Sequence, residues 1–435
     1  MLPSRDPKTT TINDIMTTQK RYVLVGTGGR GVSMYGRPLL TDFPDTAELV
    51  GLFDSNPLRL AAANELLGTQ LPVFTDFTGM LRRLDPDGVI VATRDCTHAE
   101  FVIQSLEAGK RVYSEKPLCT TAKQCRDICA AAESSAGDCF VTHNWRYAHA
   151  TNLIREILRD GRIGNLLSIE FRETLDRNHG ADYFRRWHRI KANSGGLLIH
   201  KASHHFDVLN WWADSKPATL SAMGGTFFYG RNGPFRHTRC QGCPHAKVCD
   251  FFVDFAADDQ ARRLYLDAES ADGYVRDRCL FDESIDIEDQ AAVLYSYENG
   301  VRVVYSLIAY AAYEGMLIVL EGTEARLEYE IVHSMDSSIA ARVVPGLDEV
   351  TGERLTLIHP RHDREAIDIP AAAGEHGGCD PALRQEFFGQ PWTSPQTERM
   401  AVVDEAVQAV LIGAAANASI ADGSRPVAVQ ALLQD

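Results

Sequence analysis

Histidine and lysine side chains are concentrated in one stretch of the second half of the chain, residues 193–212. If this stretch is helical, His200 and His204 share one face and Lys201 lies on the neighbouring face. The three groups would then meet in one pocket and could transfer protons. An imidazole near a helix start is biased toward its neutral form, as a general base requires. A zinc pair without an obvious third ligand and a satisfied core histidine are the alternatives.

Four cysteines have the spacing of a metal site. They are Cys240, Cys243, Cys249 and Cys279. The Cys-x-x-Cys pair places two sulfurs around one tetrahedral ion and later cysteines complete the set, although His245 could replace one of them. The surrounding insertion, about residues 230–289, has too little apolar sequence to form its own core, which is a motive for a metal. Structural zinc is predicted; an iron–sulfur cluster and free or disulfide-bonded cysteines are the alternatives.

A glycine-rich loop follows the first apolar run of the chain. Its sequence, Gly26-Thr27-Gly28-Gly29-Arg30-Gly31, has the Gly-x-Gly-x-x-Gly spacing that allows a tight turn, close approach of a pyrophosphate and close helix packing. The next apolar run ends in Asp54, where an acid can bind both ribose hydroxyls and repel a 2′-phosphate. NAD is therefore predicted rather than NADP, although Arg59 keeps NADP open. A glycine-rich surface turn followed by a capping Asp is the alternative.

Lys116 follows a further apolar run, in the sequence Glu115-Lys116-Pro117. A lysine at the carboxyl end of a strand in a parallel sheet points toward the crevice where ligands bind. The alternative is a surface lysine before a proline turn. The strand position favours a role in the site.

Arginine, histidine and aromatic residues are dense between residues 177 and 191 of an otherwise acidic chain. The candidate substrate contacts in this segment are Arg177, Arg185, Arg186, Trp187 and His188. Planar guanidinium groups suit a carboxylate or sulfonate, and an aromatic ring suits the face of a sugar. An anionic sugar is therefore a candidate ligand. A solvated basic face or a subunit contact explains the cluster equally well.

The elements that must position these residues change in kind along the chain. Over residues 20–145 short apolar runs alternate with amphipathic stretches, which predicts a doubly wound parallel sheet of the Rossmann type. Residues 146–435 contain alternating strands with turn signals such as Glu298-Asn299-Gly300, which predict a mostly antiparallel second sheet interrupted by the cysteine insertion. Residues 1–19 are polar and rich in threonine, and a mobile tail is predicted there.

The overall composition excludes several classes of partner. The chain has 435 residues, and its 44 Lys and Arg against 59 Asp and Glu give a net charge of −15. Such a field disfavours nucleic acid and anionic membranes as main partners. The sequence has no apolar run of about 18 residues that could span a membrane and no secretion signal, so a soluble cytoplasmic protein is predicted.

Several of these motifs together resemble the glucose–fructose oxidoreductase, inositol dehydrogenase and MocA family. They are the glycine loop, the strand ending in Asp54, Glu115-Lys116-Pro117-Leu118, and Gly195-Gly196 followed by His204-x-x-Asp207. The resemblance covers the chain from Arg21 onward, apart from the cysteine insertion. It implies an N-terminal Rossmann domain, a C-terminal open sheet like that of dihydrodipicolinate reductase, NAD(P) between them and a sugar or polyol over the nicotinamide. A homodimer or homotetramer, paired through the outer face of the second sheet, is also implied.

The resemblance also implies roles for single residues. Lys116 would hydrogen-bond the reacting hydroxyl and favour its alkoxide, and His204 would be the base on that hydroxyl. This chain departs from the common pattern at His200, where many relatives have Asp, and the added Lys201 makes the site more cationic. Further cofactor and substrate contacts are expected at Thr93, His98, Glu115, Asn144 and Tyr147.

Two enzymatic hypotheses follow for the function. The first is an NAD-dependent oxidoreductase that transfers hydride between a sugar or sugar derivative and the nicotinamide. The alternative is a redox-neutral glycoside hydrolase: NAD stays bound while transient oxidation permits elimination, water addition and return of the hydride. The arginine cluster would suit an anionic glycoside such as a sulfoquinovoside. A non-enzymatic NAD-binding regulator would be expected to lose Lys116 or His204, and both are present.

Overall fold

The glycine-rich loop, Asp54 and Lys116 each follow a strand of one sheet, as the sequence predicts. The structure is a computed structural model that describes residues 19–333, 352–361, 363–371, 374–392 and 396–434. The tail predicted at residues 1–19 lies outside the described residues, apart from Gln19.

The strands are numbered in chain order. They are β1 (Lys20–Val25), β2 (Ala47–Phe53), β3 (Val73–Phe74), β4 (Gly88–Val91), β5 (Arg111–Ser114), β6 (Cys139–Val141), β7 (Leu166–Asp176), β8 (Pro217–Gly225), β9 (Gln290–Tyr297), β10 (Arg302–Ala311), β11 (Gly315–Gly322), β12 (Arg326–Val332), β13 (Gly352–Ile358), β14 (Arg364–Ile367), β15 (Ala401–Val402) and β16 (Val427–Ala428).

The α-helices are numbered in the same way. They are α1 (Arg37–Thr41), α2 (Pro57–Leu67), α3 (Phe77–Leu84), α4 (Asp95–Glu107), α5 (Ala122–Ser134), α6 (His149–Arg159), α7 (Arg177–Arg185), α8 (Lys191–Ser194), α9 (Leu197–His200), α10 (Ser203–Ala213), α11 (Asp259–Ala261), α12 (Glu269–Asp272), α13 (Cys379–Phe388) and α14 (Val403–Ala421). Two wider helical turns adjoin these helices: one precedes α1, between Gly31 and Gly36, and the other follows α11, between Arg262 and Leu266.

The first sheet has the strand order β15-β6-β5-β4-β1-β2-β3. Strands β1 to β6 pair in parallel, whereas β15 pairs antiparallel with β6 at the edge. The central strand β4 is a continuous apolar run that is buried along its whole length, as expected for a parallel strand with helices on both faces. This is the Rossmann arrangement, and the carboxyl ends of its strands carry the predicted cofactor residues.

The second sheet has the order β14-β13-β12-β11-β7-β10-β9-β8-β16. Only the β7–β10 pair is parallel in the described part of this sheet; the other neighbours are antiparallel. Strand β7 alternates between buried and more exposed residues, so one face packs on helices and the other is open. The predicted combination of a Rossmann sheet and a mostly antiparallel open sheet is confirmed.

The C-terminal part of the chain returns to the first sheet. In α13, the Phe387 ring lies 4.8 Å from the Tyr113 ring, and the Phe388 ring lies 5.2 Å from that of Tyr22, centroid to centroid. Together with β15, this segment covers a surface that the first 145 residues leave open. The segments before and after the predicted boundary at residue 145 therefore both contribute to the first sheet: the earlier one supplies β1 to β6, and the later one supplies β15 and the covering helix α13.

The stretch of residues 193–212 is not one continuous helix, and that expectation is wrong. Gly195 and Gly196 have positive φ angles of 71° and 78°, which end α8 before α9 begins. Helix α9 ends at His200, whose carbonyl oxygen accepts hydrogen bonds from Lys116 Nζ and Ser203 Oγ. His200 and His204 therefore lie on two consecutive helices, and a side chain from the other domain contacts the junction between them.

Candidate active site

A cavity of about 1320 Å³ lies between the first sheet and the second sheet. Its walls come from the glycine loop, the ends of β2, β4 and β5, the helices after β7 and the insertion before β9. Single ligands occupy pockets of roughly 300–1,000 Å³, so this volume is sufficient for a dinucleotide together with a small substrate.

Most of the predicted site residues line this cavity. The cofactor candidates that do so are Gly26, Gly28, Gly29, Arg30, Asp54, Arg59, Thr93, His98, Glu115, Lys116 and Asn144. The catalytic and substrate candidates that do so are His200, Lys201, His204, Arg186, Trp187 and His188. Gly31 lies behind the loop, where a Cβ would come within 2.0 Å of the Gly26 carbonyl oxygen. The third glycine is thus required for close packing rather than for contact.

Tyr147, Arg177 and Arg185 lie outside the lining of the large cavity. Arg177 stacks its guanidinium on Phe228 at 5.2 Å, and the Tyr147 ring is buried beneath the Arg399 guanidinium. Arg185 donates to Cys240 Sγ at 3.1 Å and belongs to the cysteine cluster. These engagements elsewhere count against the substrate contacts expected for the three residues.

Asp54 is fixed at the end of β2 by both backbone and side-chain donors. Its Oδ2 accepts from the Thr27 backbone N–H at 2.9 Å, and its Oδ1 accepts from Arg59 Nη1 at 3.1 Å. Arg59 also pairs with Asp272 of the insertion at 2.8 Å. Arg59, the cation that the sequence suggested could accept NADP, is therefore held between two carboxylates. This arrangement leaves little positive charge to bind a 2′-phosphate.

Glu115 and Arg30 form a hydrogen-bond network in the wall of the cavity. Glu115 Oε1 accepts from Arg30 Nε at 2.6 Å and from the Tyr35 hydroxyl at 2.7 Å. Arg30 also donates to Asp380, which accepts from Asn144 Nδ2 at 2.7 Å. The Arg30 guanidinium, its main stabilising neighbour, holds the pKa of Glu115 below its ordinary value despite burial. Because these partners are satisfied, the network fixes the backbone next to Lys116.

Lys116 lies between the cofactor loop and the histidine helices. Its ammonium donates to the His200 carbonyl oxygen at 3.0 Å. Burial lowers the pKa of Lys116 to about 8, and the opposing influence of Asp95 and Glu115 does not restore its ordinary value. A lysine poised in this range can both release and accept a proton near neutral pH.

His200 is paired with an acid that sequence analysis did not single out. Its Nδ1 lies 2.6 Å from Asp95 Oδ2 at the start of α4. Burial raises the pKa of Asp95, although the Lys116 charge opposes that shift, and burial lowers the pKa of His200. A histidine–aspartate pair is thus present although His200 stands where many relatives have Asp.

His204 is partly buried, and its Nδ1 atom is buried with no hydrogen-bond partner among the described residues. Its ring lies 6.3 Å from the Trp145 ring and 6.1 Å from the His143 ring, centroid to centroid. Burial, reinforced by the Lys116 charge, lowers the pKa of His204 and keeps the imidazole neutral. A neutral, unpartnered imidazole on a cavity wall is available as a proton acceptor.

A second proton-transfer group is formed by Glu173 on β7. Glu173 Oε1 lies 3.3 Å from Lys201 Nζ, and its Oε2 lies 3.8 Å from His205 Nε2. Burial raises the pKa of Glu173 to about 7, although Lys201 opposes that shift.

Another histidine–carboxylate pair lies farther along the cavity wall. His179 Nδ1 lies 2.9 Å from Glu314 Oε1, and its hydrogen bond helps to hold the pKa of Glu314 at about 2 against burial.

Asp207, from the His204-x-x-Asp207 motif, has a structural partner. Its carboxylate accepts two hydrogen bonds of 2.8 Å from Arg146, and both side chains are almost fully buried. Arg146 also donates to Glu405 at the start of α14 at 3.0 Å. This buried ion pair joins α10 to the chain that leaves the first sheet, so it positions His204 from behind.

The four predicted metal ligands line one small cavity of about 20 Å³ in the insertion. The backbone N–H groups of Val253 and Phe251 face the sulfurs of Cys240 and Cys249. Among the described residues, however, no group of three or more His, Cys, Asp or Glu side chains is arranged to hold a metal ion. The donor set is present, whereas a coordinated metal geometry is not shown.

The comparisons with known proteins agree with this geometry. A profile described as the NAD-binding Rossmann fold of an oxidoreductase family matches residues 20–143, and that family's C-terminal alpha/beta profile matches residues 155–429. The chain belongs to the glucose–fructose oxidoreductase, inositol dehydrogenase and MocA family. It is thus an enzyme of an NAD-dependent carbohydrate oxidoreductase family, and the resemblance drawn from the motifs is confirmed.

Three relatives illustrate the range of the family. A protein named as an oxidoreductase, YteT of Bacillus subtilis (strain 168), is 31% identical over 432 residues, which is 95% of this chain and 99% of YteT. An inositol 2-dehydrogenase of Klebsiella pneumoniae is 28% identical, covering 43% of this chain and 52% of that protein. A 2,7-anhydro-N-acetylneuraminate hydratase of Mediterraneibacter gnavus is 27% identical, covering 47% of this chain and 52% of that enzyme.

The insertion contributes wall residues that sequence analysis missed, among them Tyr265, Tyr274 and Arg276. Glu173 could have been found from the sequence, because it takes the place of an apolar residue in the inward alternation after Ile169 and Phe171.

In the described part of the chain, no helix has the length and apolar character needed to cross a membrane.

Proposed function

We propose that this protein oxidises a hydroxyl group of a sugar or sugar derivative, with NAD as the hydride acceptor. The observation that carries the proposal is the meeting of Lys116 and His204 in the cavity that also contains the glycine loop and Asp54. Lys116 hydrogen-bonds the reacting hydroxyl, and the unpartnered His204 imidazole accepts its proton. NAD, when bound, supplies the hydride-accepting nicotinamide.

NAD rather than NADP is the proposed cofactor. Asp54 and Asp272 both face Arg59, so the ribose end of the cavity is anionic. A 2′-phosphate there would add two negative charges near two carboxylates. Fluorescence titration with NADH and NADPH tests this, and tighter binding of NADPH would contradict it.

A redox-neutral glycoside hydrolase is the second candidate. The observation that favours it is the Glu173–Lys201 pair, because a simple dehydrogenase needs one proton acceptor and this cavity has two separate proton-transfer groups. Oxidation of one ring carbon acidifies the neighbouring C–H bond; a base takes that proton, the glycosidic C–O bond breaks, and the leaving oxygen takes up a proton. Water addition and return of the hydride complete a net hydrolysis. The hydratase relative is consistent with such chemistry.

One experiment separates the two candidates. The purified enzyme is incubated in deuterated water with uncharged and anionic sugars and their aryl glycosides, while NADH absorbance and product NMR spectra are followed together. NADH that accumulates in proportion to a ketone or lactone supports the dehydrogenase. Aglycone release without net NADH, with deuterium next to the oxidised carbon, supports the hydrolase, and no reaction with any sugar contradicts both.

An anionic substrate is proposed for the same cavity. Arg186 and Lys201 line it and are cationic, and Trp187 offers an aromatic face to a sugar ring. A sulfonated glycoside such as a sulfoquinovoside fits this chemistry. A higher kcat/KM for uncharged than for carboxylated or sulfonated glycosides in the same panel would contradict it.

We further propose that the four cysteines bind a structural zinc ion. The four residues line one small cavity, and backbone N–H groups and Arg185 lie beside the sulfurs of Cys240 and Cys249. Zinc content by elemental analysis should be one ion per chain, with loss in a Cys240→Ser variant. Stoichiometric iron with visible absorption would identify an iron–sulfur cluster instead, and neither metal would contradict the proposal.

Assembly through the outer face of the second sheet is also proposed. Large apolar side chains are exposed there, on β8, β9 and β10: Met223, Leu294 and Val304. Contiguous exposed apolar surface of this kind marks interaction sites. A homodimer or homotetramer is therefore expected, and a cytoplasmic location remains a prediction from the sequence.

A further inference from the structure

Part of the cysteine insertion lies on the glycine-rich loop of the other domain. We call residues 259–276 of this insertion the clasp. The Tyr265 hydroxyl accepts a hydrogen bond from the Gly29 backbone N–H at 2.8 Å, and Gln260 Nε2 donates to Ser33 Oγ at 3.2 Å. The clasp therefore touches the loop at the backbone groups where a dinucleotide's pyrophosphate binds in Rossmann folds.

The clasp is anchored on the far side of the loop as well. Arg59 Nε donates to the Leu264 carbonyl oxygen at 3.0 Å, and Asn56 Nδ2 donates to the Ala268 carbonyl oxygen at 2.9 Å. Arg59 also pairs with Asp272. These contacts surround the Asp54 end of the cavity, so the segment spans the cofactor half of the site from ribose to pyrophosphate.

The clasp places a guanidinium group, that of Arg276, in the cofactor half of the cavity. The Arg276 guanidinium lies 4.3 Å from the centroid of the Tyr265 ring, and both side chains line the large cavity. The Arg276 guanidinium faces the neighbouring Tyr274 hydroxyl, and the buried Arg276 Nε and Tyr274 hydroxyl have no other hydrogen-bond partner among the described residues. The next residue, Asp277, accepts from the Cys240 backbone N–H at 2.8 Å, which fixes the chain at this point.

We propose that the clasp is the second half of the dinucleotide site, in which Arg276, Tyr274 and Tyr265 bind the pyrophosphate and retain NAD between turnovers. A buried cation and a hydroxyl group that have only each other as partners favour an anionic ligand, and the pyrophosphate is the part of NAD with two negative charges. The inference rests on the proposed use of NAD. It deepens that proposal, because an enzyme that keeps its nucleotide can return the hydride to the substrate from which it came.

Cofactor release measures this without knowledge of the substrate. The full-length enzyme is loaded with NADH, and the loss of bound-NADH fluorescence is followed after mixing with excess NAD. We expect slow release from the wild type, and release about tenfold faster or more from Arg276→Met, because a charge-assisted contact is lost. The matched control is Arg278→Met, two residues away and exposed, which should release NADH at the wild-type rate.

Two further variants keep the test decisive. Arg276→Lys should recover part of the retention, and Tyr265→Phe, which keeps the ring, should accelerate release to a smaller extent; circular dichroism checks the fold of each variant. Equal release rates for wild type and Arg276→Met, or tighter binding by Tyr265→Phe, would overturn the proposal. Slow release without turnover of any sugar would retain the clasp and reject the proposed function. Sugar turnover with fast release from the wild type would do the reverse.

Discussion

Lys116 is the side chain on which both halves of the candidate site meet. It follows β5 of the nucleotide-binding sheet, and its ammonium contacts the His200 carbonyl oxygen of the other domain. An ammonium group at this junction can donate a hydrogen bond to a hydroxyl placed between the domains. Its depressed pKa follows from burial, which penalises the ammonium form more than Asp95 and Glu115 stabilise it.

Replacement of Lys116 by Met should abolish most of the catalysis. We expect kcat to fall by about 100-fold or more, since removal of a positioned proton-transfer group has effects of that size. NADH affinity should change little if Lys116 acts mainly on the substrate. Lys123→Met, an exposed lysine on α5, is the control. A kcat within a few fold of wild type would show that Lys116 is not required.

The pH dependence should report the same lysine. Lys116 stabilises the developing alkoxide in its ammonium form, so the rate should fall as pH increases through about 8, the pKa of Lys116. In Asp95→Asn the carboxyl group that raises this pKa is lost, and the falling limb should move to lower pH. A limb that stays in place in this variant would separate Asp95 from the titration.

The site residues that lie in motifs could be predicted, and those brought in by tertiary contacts could not. The glycine loop, Asp54, Lys116 and His204 stand at fixed spacings after strands, so local pattern was sufficient to find them. Asp95 opens α4 without any motif and acts on His200 only because α4 and α9 meet. Glu173 interrupts an inward alternation, a signal that was present but was not used.

At the level of elements, the histidine-bearing segment depends on the buried ion pair behind it. Asp207 on α10 and Arg146 are almost fully buried, and Glu405 extends the pair to α14. The carboxylate therefore holds the helix that carries His204 against the rest of the domain. We therefore expect Asp207, the acid of the His-x-x-Asp motif, to position α10 rather than to take part in proton transfer.

Asp207→Asn should lower stability more than chemistry. Breaking a buried pair leaves an uncompensated charge, so the free energy of unfolding should fall by about 3 kcal/mol. The folded fraction should keep kcat within a few fold, because Asp207 does not line the cavity. Urea unfolding together with kinetics below the transition tests both parts, and unchanged stability with a large loss of kcat would instead assign Asp207 to the relay.

Sequence patterns located most elements but not their junctions. Periodicity identified β1 to β7 and β9 to β12 to within a few residues, since hydrophobic alternation is local. It did not identify β8, β13 or β14, nor the break between α9 and α10. That break coincides with a hydrogen bond from Lys116, whose distance from His200 along the chain is 84 residues. The clasp was equally invisible, because its contacts are with a loop about 230 residues earlier.

At the scale of the whole molecule, the outer face of the second sheet is the surface to test for assembly. Leu294 and Val304 are cross-strand neighbours on β9 and β10, with exposed fractions of 58% and 53%. Leu294→Glu together with Val304→Glu should convert the proposed dimer or tetramer to monomers in light scattering after size exclusion. Leu58→Glu, an exposed apolar residue on α2, should leave the oligomer intact. A monomeric wild type would contradict the proposal.

The strand β15 places a late segment of the chain at the edge of an early sheet. Residues 20–141 emerge from the ribosome long before Phe387, Phe388 and Ala401–Val402, which cover and extend that sheet. Until then the β6 edge and the ring of Tyr22 are without their final cover, and exposed strand edges favour aggregation. The nucleotide-binding half thus completes its folding only after residue 402 has been translated. Nascent chains of this protein should depend on chaperones until that point.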